Sequence, residues 1–259
     1  MATQGIVMDC TFSFLGKVAL VTGGRRGLGR AMVMGLAASG AKIAVVSQSA
    51  DDNGLRQEVE AAGSELLYLP ANLADRSSRV GIIAAVVQHY GRLDILINNA
   101  GDQHRQSAIE YDLRQWDKDF DLLVTAVFEL SQQAAKVMAE QGGGKIIHIA
   151  SISSFQGARN IVGYSTAKHA IVGLTKCLAN EWAPLNINVN AVAPGMIATD
   201  MAAHMTQDPK KALELCGRIP AGRFGMPDDV VGPVLFLASD ASRYVNGHTF
   251  LVDGGWLGR

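Results

Sequence analysis

The sequence predicts one doubly wound α/β domain over residues 1–259, with a mainly parallel seven-stranded sheet flanked by helices. Short apolar runs rich in β-branched residues alternate with helical patterns along the whole chain. A glycine-rich turn joins the first such run to the first helical pattern. No repeat or linker interrupts the alternation, which implies parallel strands joined by helical crossovers.

Composition agrees with a globular domain. Of 259 residues, 48% are hydrophobic and 18% charged, enough for a sizeable core. The formal net charge is −1 and no basic tract is interleaved with aromatics, so nucleic acid is not an expected partner. Cys10, Cys177 and Cys216 are odd in number and far apart. They fit neither a metal-ligand spacing nor a disulfide framework, so no metal site and a reducing compartment are expected. Met1 to Lys17 lacks the pattern of a signal peptide, and no apolar run approaches membrane-spanning length. A cytoplasmic protein without a membrane partner is expected.

Residues 1–16 read as a loose lead-in. Val18 to Val21 reads as the first buried strand. Thr22-Gly23-Gly24-Arg25-Arg26-Gly27-Leu28-Gly29 follows, then a helical pattern through Ala38. Strand, glycine-rich turn and helix make a Rossmann-like opening. Glycines let the backbone approach a pyrophosphate, and the helix N-terminus offers N–H groups and a positive dipole end. The spacing is Gly-x-x-x-Gly-x-Gly rather than the commoner Gly-x-Gly-x-x-Gly.

Ile43 to Val46 reads as the second strand. An acidic residue near its end commonly holds the ribose 2′-hydroxyl of NAD. Here Ser47-Gln48-Ser49 follows, with no carboxylate before Asp51. Arg25 and Arg26 stand in the phosphate turn, and a guanidinium fork binds a phosphate well. NADP(H) is therefore favoured and NAD(H) stays possible. The alternative is two solvated turn arginines.

Asp51 to Ala62 reads as a helix and Leu66 to Leu69 as the third strand. Asn72 and Leu73 follow it, where an adenine edge could be met. Ser77 to Tyr90 reads as a helix and Leu93 to Ile97 as the fourth strand. That strand ends in Asn98-Asn99-Ala100-Gly101, whose small residues would let the backbone lie against a cofactor ribose. Leu113 to Ala139 reads as one long helix, broken by Gly142-Gly143-Gly144. Lys145 to Ala150 is the fifth strand, and the helix through Tyr164 runs to about Trp182. Ile187 to Val192 is the sixth strand, ending in Ala193-Pro194-Gly195-Met196-Ile197-Ala198-Thr199. Residues 196–220 could form a substrate lid, with a plain surface helix as the alternative. Asp228 to Ala238 is the last long helix and Thr249 to Val252 the last strand.

The chemistry concentrates in Ser151 to Lys168. Tyr164 and Lys168 are four apart, hence neighbours on one helix face. A phenol has an unperturbed pKa of about 10. A neighbouring ammonium favours the phenolate and makes it a better proton exchanger with a carbinol or carbonyl oxygen. Ser151, at a strand end, could donate to the same oxygen. Such a pair alone is common on helices. Its weight comes from the strand ends: in doubly wound sheets ligands bind beyond the carboxyl ends. The glycine-rich turn, Asn98–Gly101, Ser151 and Pro194-Gly195 all follow strands, so they fall on one rim.

With these motifs the chain resembles the short-chain dehydrogenase/reductase family over nearly its full length. The resemblance rests on Thr22-Gly23…Gly27-Leu28-Gly29, Asn98-Asn99-Ala100-Gly101, Ser151…Tyr164-Ser-Thr-Ala-Lys168 and Pro194-Gly195. It implies that Tyr164 is the general acid/base, that Lys168 lowers its pKa and holds the nicotinamide ribose, and that Ser151 polarises the substrate carbonyl. Thr199 would touch the nicotinamide carboxamide, with Ile197 beside it. Ser153 would join Ser151 and Tyr164 at the substrate. Family kinship also implies a homotetramer.

Further stretches resemble the family's sugar-acid members: Gly144-Lys-Ile-Ile-His-Ile-Ala-Ser151, Ser154-Phe-Gln-Gly157, Ala179-Asn-Glu-Trp182, Ile219-Pro-Ala-Gly-Arg-Phe-Gly225 and Val252-Asp-Gly-Gly-Trp256. A sugar acid needs a carboxylate partner, for which Arg105 and Arg159 are candidates. Two positions depart from the family pattern. Leu123 stands where the family often has an asparagine in a proton relay through the lysine. Asn72 stands where it has an adenine-contacting aspartate.

The expected function is hydride transfer between a nicotinamide cofactor and a keto or hydroxy group of a sugar acid. Two alternatives stay open. One is reduction of another carbonyl, such as a 3-oxoacyl thioester or a steroid. The other is a nucleotide-sensing protein with weak catalysis, which the change at Leu123 would favour.

Overall fold

The computed structural model describes residues 12–202 and 208–259. Seven strands form one sheet: β1 (Val18–Thr22), β2 (Lys42–Ser47), β3 (Leu66–Pro70), β4 (Ile95–Asn98), β5 (Gly144–Ile149), β6 (Ile187–Pro194) and β7 (Thr249–Val252). Their order is β3-β2-β1-β4-β5-β6-β7, and every neighbouring pair is parallel. The order reverses direction between β1 and β4. In this class of sheet such a switch point, beyond the carboxyl ends of the strands, is where ligands bind.

The strands read as unbroken apolar runs because helices cover both faces. On one face α1 (Gly27–Ala38) packs Met32, Val33 and Leu36 with Val230, Val234 and Leu237 of the helix Pro227–Ala238. On the other, α3 (Ile82–Tyr90), α5 (Ala126–Glu140) and α6 (Val162–Trp182) supply Val86, Leu130, Met138, Leu178 and Trp182.

Three helices depart from their sequence-based bounds. The expected helix from Asp51 begins only at Leu55 and forms α2 (Leu55–Ala61). Asn53 and Gly54 are left-handed, with φ of 57° and 74°, and break any earlier start. The expected helix Ser77–Tyr90 divides into a 3₁₀ turn Arg76–Arg79, an extended Val80, a left-handed Gly81 and then α3. The long helix from Leu113 contains a wider π turn. It runs as α4 (Leu113–Phe120), the π turn Asp121–Thr125, and α5.

In the lead-in, Phe14 is buried among the core residues and its N–H bonds the carbonyl of Ser39 at 2.7 Å. Residues 1–11, with Cys10, lie outside the described residues. So do residues 203–207 of the segment read as a lid, whose described parts are a 3₁₀ turn Asp200–Ala202 and a helix Pro209–Arg218. Among the described residues, no helix is long and apolar enough to cross a membrane.

Candidate active site

The glycine-rich turn and the Asn98–Gly101 turn are stitched to each other. The Thr22 hydroxyl accepts from the N–H groups of Asn99 and Ala100, both at 2.9 Å. The Asn99 amide donates to the carbonyls of Thr22 (2.9 Å) and Gly23 (3.2 Å). A Cβ on Gly23 would stand 2.9 Å from the Ala100 Cα, and one on Gly29 would collide with the Gly23 carbonyl. These two glycines therefore serve turn packing, and the Asn99 side chain is consumed inside the motif. The coupling role of Thr22 was not legible from sequence.

Gly27 is different. Its φ is +54°, and a Cβ there would meet only Thr199, at 3.6 Å. The turn thus faces Thr199 at contact distance, with Gly27, Leu28 and Gly29 opening α1. The residue before α1, Arg26, makes no side-chain cap. The first N–H groups of a helix need partners from outside it, and anions supply them. The site fits a pyrophosphate.

The two arginines part company. Arg25 reaches the segment after β2, donating through Nε to the Asp51 carbonyl at 2.7 Å, with the Asp51 carboxylate 3.5 Å from Nη2. Arg26 turns away and pairs with Asp200 at 3.3 Å, both largely exposed. Of the two, only Arg25 therefore reaches the segment that follows Ser47 and Gln48 at the end of β2. The sequence shows no carboxylate directly after β2, yet the fold brings Asp51 there through Arg25.

Past β3, the Asn72 side chain accepts from the Ala74 N–H at 3.1 Å, closing a local turn. Leu73 is buried, and its carbonyl accepts from Arg79 at 2.7 Å. On the other side of the switch point Gly195 donates to the Val252 carbonyl at 2.8 Å, and Ile197 bridges to Gly225. These contacts fix the backbone of Pro194–Thr199 beside β7.

Ser151, Tyr164 and Lys168 come together, each less than a tenth exposed. Ser151 follows β5 and its hydroxyl accepts from the Ser153 N–H at 3.0 Å, so Ser153 also faces inward. Ser154 donates to the Lys168 carbonyl at 2.7 Å, tying this turn to α6. Tyr164 enters on the first turn of α6. Gly163 before it is required, because a Cβ there would strike the Asp119 carboxylate and stand 2.7 Å from the Tyr111 hydroxyl. Tyr111 donates to Asp119 in a short hydrogen bond. This pair wedges α4 against α6, and sequence reasoning missed it for lack of a local pattern.

The electrostatics differ from the sequence-based expectation. Burial raises the pKa of Tyr164 above 10, while the Ser151 hydroxyl pulls it the other way. Burial lowers Lys168 to about 8. Its ammonium donates to the Ile149 carbonyl at 2.6 Å and lies 5.6 Å from the Tyr164 ring centroid. At the phenol, desolvation outweighs the Ser151 hydrogen bond.

Below the site runs a buried chain of hydrogen bonds. The Asn98 amide donates to Ser131 (3.0 Å), Ser131 meets His148 Nε2 (3.2 Å), and His148 Nδ1 meets Thr175 (2.9 Å). Thr175 donates to the Ile171 carbonyl, so its oxygen accepts from an Nδ1–H, and Nε2 accepts from Ser131. Burial, then the charge of Lys168, holds the imidazole at about 3, hence neutral.

At the mouth, an isolated bridge pairs Gln106 with Ile161. It lays the loop of Arg105 beside the loop of Arg159. Arg105 donates to Gln103 at 2.9 Å. Arg159 is exposed and has no ion-pair or hydrogen-bond partner among the described residues.

The family model described as enoyl-(acyl carrier protein) reductase matches residues 23–257. A 2-dehydro-3-deoxy-D-gluconate 5-dehydrogenase from Dickeya dadantii is 46% identical over 250 residues, covering 96% of this chain and 98% of that protein. One from Escherichia coli is 45% identical over 249 residues, with 96% and 98% covered. A solved gluconate 5-dehydrogenase from Burkholderia cenocepacia, in complex with NADP and tartrate, superposes with a TM-score of 0.91 at 33% identity, covering 96% of this chain and 98% of that one. The chain belongs to the short-chain dehydrogenase/reductase family. It is an NAD(P)-dependent oxidoreductase acting on CH–OH groups.

Proposed function

We propose that the protein interconverts a keto and a hydroxy group on a sugar acid, with Ser151, Tyr164 and Lys168 as its catalytic residues. The observation that carries this reading is the buried cluster of those three groups near an exposed Arg159 that has no partner among the described residues. The similarity to the Dickeya and Escherichia enzymes supports it, as does the NADP and tartrate of the Burkholderia neighbour.

When bound, the nicotinamide supplies or accepts the hydride at the substrate carbon. In reduction, Tyr164 gives its phenolic proton to the carbonyl oxygen while Ser151 donates a hydrogen bond to the same oxygen. A phenol whose pKa stands above 10 arrives protonated, as an acid must. Lys168 stabilises the phenolate left behind and reaches the cofactor ribose. Arg159, with Arg105 beside it, takes the substrate carboxylate. Gly27 and Leu28 would hold the pyrophosphate on the N-terminus of α1, with Gly29 closing the turn behind them, and Thr199 would face the carboxamide. Asn72 and Leu73 border the adenine, while Ala100 and Gly101 lie against the ribose.

Arg25 takes the 2′-phosphate, so NADP(H) is the preferred cofactor. The active form is a homotetramer, as family kinship implies, and its scattered, odd-numbered cysteines favour a reducing, cytoplasmic compartment.

The test follows loss of reduced-nicotinamide absorbance with a panel of keto sugar acids, NADPH and NADH in parallel, beside Tyr164→Phe. Turnover that survives Tyr164→Phe would sink the mechanism. Binding of cofactor with no turnover on any sugar acid would overturn the substrate class.

A further inference from the structure

Arg79 heads the largest fully buried side chains of the described fold, at 1% exposure. A guanidinium out of water is destabilising unless its donors are met. Here three of its nitrogens are met, by three segments. Nε donates to the Leu73 carbonyl at 2.7 Å and Nη2 to the Asp121 carbonyl at 2.7 Å. Nη1 pairs with Glu129 at 2.9 Å.

The Asp121 carbonyl opens the π turn. It already accepts the wide-turn bond from the Ala126 N–H, so Arg79 takes its second lone pair. Arg76 grips the Asp121 carboxylate from outside through Nε and Nη2, at 3.0 and 2.9 Å. A π turn inserts an extra residue and re-aims the side chains beyond it. Leu123 lies within this turn. It is 1% exposed and packs with Ile161, Tyr164 and Ala167. Its Cδ2 lies 3.1 Å from where a Cβ of Gly101 would stand.

We propose that Arg79 is a positioning residue that clamps the Asn72–Leu73 loop to the π turn and, through Leu123, holds Tyr164 in place. It thereby couples the adenine end of the cofactor site to the proton donor. The inference rests on the roles proposed above for Asn72, Leu73 and Tyr164. A lysine at this position keeps the charge, but its single ammonium cannot reach three acceptors set around three separate guanidinium nitrogens.

The experiment is a double-mutant cycle of R79K and L123A, reading kcat, NADPH Kd by fluorescence titration, and melting temperature. R79K is expected to lower kcat about tenfold and raise the NADPH Kd about fivefold, the size of effect seen when a positioning contact is lost. L123A is expected to lower kcat and leave the cofactor Kd unchanged. Because both act through the π turn, the double variant should match the worse single within about twofold rather than their product.

Multiplicative losses of kcat would overturn the proposal. So would an R79K enzyme that loses only melting temperature. If R79K does not fold, E129Q substitutes for it, since Glu129 is about one-third exposed and keeps its shape. Lowered kcat with raised Kd in E129Q would support the clamp, and neither change would overturn it. Tyr164→Phe is run alongside. Turnover retained there would remove the role of Tyr164, whereas turnover lost there with multiplicative losses in the cycle would remove only the coupling.

Discussion

Lys168 is anchored to the main chain of the sheet: its ammonium donates to the Ile149 carbonyl at 2.6 Å, two residues before Ser151. The strand that delivers the serine thus also orients the lysine. Buried at this anchor, the ammonium is held at about 8, below its ordinary 10.5.

Activity should follow that value. The pH dependence of kcat/KM reports groups of the free enzyme. For carbonyl reduction, kcat/KM is expected to fall as pH rises through about 8, where Lys168 loses its charge. Leu123→Asn would bring a polar group and water to the apolar wall of the site. By relieving desolvation it should move the fall to higher pH. A profile flat from pH 7 to 10 would contradict this role of Lys168.

Removing either oxygen donor should cost rate rather than cofactor affinity. Tyr164→Phe is expected to lower kcat by roughly 10²–10⁴-fold, the span for general acid–base groups. Ser151→Ala should lower it by about 10²–10³-fold, as for a lost oxyanion donor. NADPH titration by fluorescence should show little change in either variant.

Cofactor choice should separate the two turn arginines. Arg25 reaches Asp51 beyond β2, whereas Arg26 is paired with Asp200. Arg25→Ala should cut the NADPH-over-NADH ratio of kcat/KM by about tenfold or more, the worth of a charged phosphate contact. Arg26→Ala should change that ratio less. The reverse ranking would reassign the 2′-phosphate to Arg26.

Substrate affinity should report Arg159. Its guanidinium, without a partner among the described residues, predicts that Arg159→Ala raises KM for the sugar acid by about tenfold, with NADPH Kd unchanged. Arg105, already bonded to Gln103, should show a smaller effect. Rescue of Arg159→Ala by added guanidinium would reinforce the assignment.

Acid stability should depend on His148. Its folded value of about 3 lies below the ordinary 6.5. The unfolded chain therefore binds the extra proton between those values. The stability from the neutral imidazole is complete above pH 6.5 and is lost as pH falls towards 3. Urea unfolding of the wild type between pH 6.5 and 4.5 should lose stability faster than His148→Gln. The excess slope should approach about 1.4 kcal/mol per pH unit. Equal slopes would show that His148 titrates normally in the fold.

Much of the fold was legible because its signals are local. Apolar runs bounded by turns marked all seven strands, and the glycine-rich turn marked the start of α1. Helix bounds failed where a left-handed residue intervened, at Asn53–Gly54 and at Gly81. The π turn at Asp121–Thr125 was invisible, since it keeps an apolar pattern close to helical spacing and depends on a distant arginine.

The sequence by itself determined the chemistry: the residue types at 151, 164 and 168, their spacing, and the strand ends that carry them. Those depend on bonds and periodicities a few residues long. Only the tertiary structure decided the electrostatics and the pairings. It turned Arg26 towards Asp200 and Arg25 towards Asp51, left Arg159 without a partner among the described residues, raised the tyrosine and lowered the lysine. It also buried Arg79 between Leu73 and Asp121. Each of these depends on what stands close in space and how much water is excluded. Both are set by segments tens of residues apart in the chain, which meet only when the sheet is complete.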